Sequence, residues 1–114
     1  MNFLIKLLLS TISVLVASYL LPGATVDSFF SAFIVAIFLA LFNATLKPIL
    51  TFLTIPITVF TLGLFLLVIN ALMVLLADAI VDGFAVNGFW SALFFGIILA
   101  IVNSIFEAIS RKDD

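Results

Sequence analysis

The sequence predicts an all-α membrane protein, with four transmembrane helices arranged as two tandem parallel-repeat hairpins and both termini on the inner side. Composition is the first ground for this. Of 114 residues, 67% are hydrophobic and only 9% charged, whereas a soluble domain carries about 25% charged residues. So short a chain could not hide that much apolar surface inside itself. The second ground is length, because four apolar stretches approach the roughly 20 residues that a helix needs to cross a bilayer. The third is an internal repeat. Residues 4–49 align without a gap on residues 64–109 at a constant offset of 60, with 15 of the 46 positions identical. Chance would give roughly one match in ten with so narrow an alphabet. The chain is therefore expected to be one membrane domain over residues 1–114, with repeats at about 4–49 and 64–109 and a linker at 50–63.

The first span runs from about Phe3 to Leu21 and stops at Pro22-Gly23. Lys6, the apolar run to Ala17 and Pro22-Gly23-Ala24 give it the look of a signal peptide. Its alignment with Leu64–Gly83 favours a retained helix. The second span covers about Ser28 to Leu46, before Lys47-Pro48. Asp27 stands at its expected N-cap, where a carboxylate also suits the helix dipole. Asn87 takes the same place before the fourth span, about Gly88 to Phe106.

Between Lys47 and Asp78 no residue is charged, a stretch too long for one membrane-thick helix. Pro48, Pro56 and four threonines interrupt its first part. A short interfacial or re-entrant segment, about Ile49–Val59, is expected to precede a third span from about Thr61 to Ile80. A single long, tilted, Pro-kinked helix is the alternative. Basic residues set the orientation. With the N-terminus inside, Lys6, Lys47, Arg111 and Lys112 all lie inside, and the outer loops hold Asp27, Asp78 and Asp82. An even number of spans per repeat makes the repeats parallel rather than inverted. Tyr19, Phe84, Phe89 and Trp90 then form an outer aromatic belt.

Small residues mark the packing faces. Ser28, Ala32, Ala36, Ala40 and Ala44 recur every fourth residue in the second span, and Gly88, Ala92, Gly96, Ala100 and Ser104 do so in the fourth. Such stripes let membrane helices approach closely. The expected contact is between spans two and four, with a homo-oligomer contact through the same faces as the competitor. Lys47 and Glu107 are repeat equivalents and form an ion pair if the stripes meet; otherwise both snorkel to the interface. Charge reversal at both sites together would then rescue what either reversal alone breaks.

Four polar residues lie within the spans: Ser10, Asn43, Asn70 and Asn103. Asn70 is the most central. An interhelical hydrogen bond, with its repeat equivalent Ser10 as partner, is the common use of such a residue; an ion pathway is the functional reading. Asn43 and Asn103 read as structural. Asp78 and Asp82 share a helix face at the outer membrane edge, where solvation is the ordinary role. Small drug/proton antiporters also have four spans, but they need a buried acidic residue in the first, and this one has none.

With no Cys and no His, thiol chemistry, the commonest metal ligand and the usual general base are missing. No catalytic, cofactor-binding or metal constellation is present, so neither enzyme activity nor a cofactor is expected. No basic patch points to nucleic acid. The partners expected are the lipid bilayer and either further copies of the chain or a larger membrane complex.

The run Asn43-Ala-Thr-Leu-Lys47-Pro48-Ile49, then Ile55-Pro56-Ile57, Thr61-Leu62-Gly63-Leu64-Phe65 and Asn70-Ala71, resembles the bacterial four-span phage holin family of small membrane proteins. The likeness continues through Gly83-Phe84, Val86 and Gly88-Phe89. It implies a bacterial cytoplasmic-membrane protein from a family of mostly uncharacterised members. A structural or accessory role in a complex is the first functional expectation. A holin-like oligomer that permeabilises the membrane is the second, and a small channel or transporter the third.

Overall fold

The computed structural model describes residues 2–112. Its elements are α1 (Phe3–Leu20), β1 (Ala24–Val26), α2 (Phe29–Leu53), α3 (Ile55–Phe60), α4 (Phe65–Ile80), β2 (Phe84–Val86) and α5 (Phe89–Lys112). α1, α2 and α5 are long and apolar enough to cross a membrane, and α4 is a shorter apolar helix. At about 1.5 Å per residue α4 reaches only about 24 Å. The protein is mostly helical and membrane-embedded. The part of the orientation argument that rests on the Arg111 and Lys112 side chains lies outside the described residues.

Helix α2 does not stop before Lys47-Pro48 as expected but continues to Leu53. Proline removes one backbone donor, and in lipid the chain keeps its remaining polar groups paired by staying helical. The break comes at Thr54, whose N–H and hydroxyl both donate to the Leu50 carbonyl, at 3.0 and 2.7 Å. Pro56 then sits in the first turn of α3, where a missing donor costs nothing. Residues 49–59 are thus divided between the end of α2 and α3, and the single long third helix does not form. α3 ends at Leu62 (φ 57°) and Gly63 (φ 89°). There the Gly63 N–H reaches the Thr58 carbonyl at 2.8 Å and the Leu62 N–H reaches Val59 at 3.1 Å, a Schellman closure. This turn moves the start of α4 from the expected Thr61 to Phe65.

The connections α1–α2 and α4–α5 hold two short strands that no sequence pattern announced. β1 and β2 pair antiparallel, Ala24 with Val86, Thr25 with Ala85 and Val26 with Phe84. The Asp27 N–H bonds the Gly83 carbonyl and the Asn87 N–H bonds the Gly23 carbonyl, both at 2.8 Å. Asp27 and Asn87 therefore close the ribbon. The N-cap of α2 is Ser28, whose Oγ accepts the Ser31 N–H at 3.2 Å. Gly23 and Gly83 allow the turns to press on the opposite helix: a Cβ at Gly23 would collide with Ser91, and one at Gly83 with Ser31.

Around the bundle α1 contacts α2 and α5, and α4 contacts α2 and α5, so α2 and α5 stand on a diagonal. The α2–α5 contact expected from the small-residue stripes is thus not among the stronger helix pairings. A Cβ on Gly96 would lie 3.6 Å from Asn70 Cβ and 3.9 Å from Val74 Cγ2, both on α4. At Gly96 the stripe of α5 faces its hairpin partner, as expected of helices joined by a short connection. The core contains Val14, Val35, Leu39, Val74, Phe84 and Phe95. The Phe84 and Phe95 rings are tilted at 56° with centroids 5.3 Å apart. Along residues 11–20 and 71–80 the succession of buried, half-buried and exposed positions is identical.

Candidate functional site

At the end of the bundle opposite the ribbon lie two cavities. The larger, about 450 Å³, is bounded by α1, α2 and α5. Helical spacing brings Lys6, Ser10 and Val14 to one face of α1, and Ala36, Ala40 and Asn43 to one face of α2. α5 adds Leu99, Asn103 and Glu107, four residues apart. The smaller cavity, about 140 Å³, lies among α2, α4 and α5. Ser10, Val14, Ala36, Leu39, Ala40 and Asn43 of the first find their counterparts 60 residues on in Asn70, Val74, Gly96, Leu99, Ala100 and Asn103 of the second. Leu39, Asn43, Leu99 and Asn103 line both and so form the partition.

The polar residues singled out in the sequence divide between the two cavities. Asn43 and Asn103 belong to both, Ser10 to the larger and Asn70 to the smaller. Ser10 and Asn70 thus do not share a lining. Lys47 lines the smaller cavity, while Glu107 lines the larger together with Lys6. Lys6 and Glu107 also flank an adjoining niche with Ser10 and Asn103. Of the stripes, Ala32, Ala36, Ala92 and Gly96 are buried and Ala40 half-buried, whereas Ser28, Ala44, Gly88, Ala100 and Ser104 are exposed. Asp78 lies in the last turn of α4 and Asp82 in the turn that follows it, and neither lines either cavity.

One interhelical contact escaped the sequence. Ser13 Oγ, fully buried, lies 2.6 Å from Asn103 Oδ1 and 2.9 Å from the Leu9 carbonyl, so its proton is shared between an interhelical and a local acceptor. Its counterpart at +60 is Met73, a lining residue of the smaller cavity. Thr11, equally buried, bonds only the Leu7 carbonyl, at 2.9 Å. Neither cavity lining extends past Val14 or Val74 toward the ribbon. Beyond them Val35, Phe84 and Phe95 close the interior.

A family model described as mycobacterial four-span phage holin, superfamily IV, matches residues 1–105. The chain belongs to this holin family. Uncharacterized protein SCO3922 of Streptomyces coelicolor is 39% identical, with 99% of this chain and 98% of the relative aligned. The uncharacterized membrane protein YvlD of Bacillus subtilis is 30% identical over 90% of this chain and 87% of its own length. No solved structure matches the chain. Holin-family membership and the four apolar helices agree with the resemblance read from Asn43, Lys47-Pro48, Pro56 and the Thr61–Phe65 run.

Proposed function

We propose that this holin-family protein is a structural or accessory component of the bacterial cytoplasmic membrane, acting through its helix surfaces within a complex and catalysing no reaction. The observation that carries this is the closed outer half of the bundle. The two cavity linings end at Val14 and Val74, and beyond them lie the buried Phe95 ring and the hydrogen-bonded ribbon, whose Phe84 side chain is itself buried. Among the described residues neither cavity lining continues to the ribbon end. Its outward faces are apolar, with Phe30, Leu41, Phe94 and Ile101 all exposed for lipid or a partner helix.

The finer architecture is part of the proposal: two parallel hairpins related by an axis along the membrane normal, entering from the cytoplasm. The recurrence of ribbon bonds, cavity linings and burial at an offset of 60 supports the duplication. Lys6 and Lys47 at the cavity end, with Asp27, Asp78 and Asp82 toward the ribbon end, support the orientation.

Family membership favours a second reading, in which several copies assemble into a permeabilising oligomer. Induced expression in a bacterium, with membrane potential followed by a dye, separates the two. The accessory reading expects an intact potential and a co-purifying membrane partner. Sudden collapse and lysis would replace it with the holin-like reading.

A further inference from the structure

The smaller cavity gathers carboxamides from three different helices: Asn43 of α2, Asn70 of α4 and Asn103 of α5. The Asn103 Oδ1 already accepts from Ser13 on α1, so what this group offers an occupant is its amide N–H donors. Among the described residues the Asn43 and Asn70 side chains have no hydrogen-bond partner. Carboxamides inside a membrane need one, because lipid tails provide none. Lys47 lines the same cavity and is half-buried. Its own helix surrounds it with apolar surface: α2 continues to Leu53, and Leu46, Ile49 and Phe52 are all exposed. An ammonium in such a setting calls for an anion or a polar cage. On α5 the lining runs from Gly96 to Asn103 and ends one turn before Glu107.

We propose that the smaller cavity binds a phosphate oxyanion, held between the Lys47 ammonium and the carboxamide N–H groups of Asn43, Asn70 and Asn103. Donors that arrive from three helices suit a tetrahedral anion with several acceptor oxygens, and charge-assisted bonds of this kind are the strong ones. A low-dielectric wall strengthens the attraction further. The volume of about 140 Å³ lies below the roughly 300–1,000 Å³ of sites for drug-sized molecules, so the cavity takes the phosphate group and little else. That phosphate arrives either on a phospholipid head group, whose acyl chains stay in the bilayer, or as the free ion; the recognising chemistry is the same. The inference does not depend on whether the protein acts within a complex or permeabilises the membrane.

Native mass spectrometry of the delipidated full chain in detergent, offered equal amounts of phosphatidylglycerol and of diacylglycerol with the same acyl chains, is the first arm of the test. The second is titration with inorganic phosphate, followed by line broadening in phosphorus NMR. Retention of phosphatidylglycerol about tenfold over diacylglycerol, the weight of one charge-assisted contact, without broadening of free phosphate identifies the lipid head group. Broadening of inorganic phosphate, with displacement of any bound phosphatidylglycerol, identifies the free ion. In either case Lys47→Gln should abolish the binding, Lys47→Arg should keep it, and Asn70→Leu should weaken it several-fold. Ala100→Leu should fill the cavity and remove the ligand while circular dichroism shows retained helicity. Lys6→Gln, in the larger cavity, should change nothing. Equal retention of the two lipids together with no broadening would overturn the site, and this comparison uses the unaltered chain, so it stands whether or not every variant folds. Binding that survives both Lys47→Gln and Ala100→Leu, or that is lost in Lys6→Gln, would overturn it as well.

Discussion

Ser13 and Asn103 form a polar side-chain bond between α1 and α5. Intramembrane hydrogen bonds of this kind are worth about 0.6 kcal/mol on average and up to about 1.7. Ser13→Ala and Asn103→Ala should each lower stability by about that amount, and the double variant should cost less than their sum. Thermal unfolding of the four proteins in detergent gives the cycle; strict additivity would sink the coupling. Thr11→Ala, which loses only a local bond to Leu7, is the control. The sequence made Asn103 visible through its recurrence with Asn43. It could not reveal Ser13, because a membrane-helix hydroxyl satisfies itself on the preceding turn. Both Thr11 and Ser13 do so, and only the placement of α1 beside α5 tells the two apart.

At the scale of elements the two unpredicted features are both turns. A three-residue strand leaves too little alternation to be read as a period of two, so β1 and β2 looked like loops although Gly23, Val26, Gly83 and Val86 recurred in both copies. What the recurrence encoded is a close approach of turn to helix. Gly83→Ala should destabilise by about 1–3 kcal/mol, the usual cost of overpacking, because its methyl meets the Ser31 side chain. Thermal unfolding would check this, and Ser31→Gly in the same chain should recover most of the loss. The other turn contains Leu62, a non-glycine residue at φ 57° with 93% of its surface exposed. A left-handed conformation costs an L-residue roughly 1–2 kcal/mol, part of which is offset by the flexibility that glycine adds to the unfolded chain. Leu62→Gly should therefore raise stability by up to about 1 kcal/mol. A lower unfolding temperature would instead mean that the exposed leucine makes a contact with lipid or a partner that outweighs its strain.

For the whole molecule, hydropathy located the spans and the repeat located their equivalences, but neither fixed which helices touch. A small-residue stripe indicates that something approaches closely without naming the neighbour, and the stripes of α2 and α5 lie on helices that stand on a diagonal. The chain has no cysteine, so engineered pairs report contacts without interference. Asn70→Cys with Gly96→Cys places two Cβ atoms about 3.6 Å apart, within the roughly 3.5–4.5 Å that a disulfide spans. This pair should crosslink under mild oxidation and change mobility on a non-reducing gel. Ala36→Cys with Gly96→Cys should crosslink far less readily, since the atoms of other helices within 4 Å of that Cβ belong to Asn70 and Val74; crosslinking of this pair alone would restore the stripe-to-stripe arrangement. The duplication adds a further expectation. Ser10 and Ala36 are the counterparts of Asn70 and Gly96, and both line the larger cavity. Ser10→Cys with Ala36→Cys should thus crosslink as well. A crosslink between α4 and α5 without one between α1 and α2 would leave the bundle order standing and break the equivalence of the two hairpins.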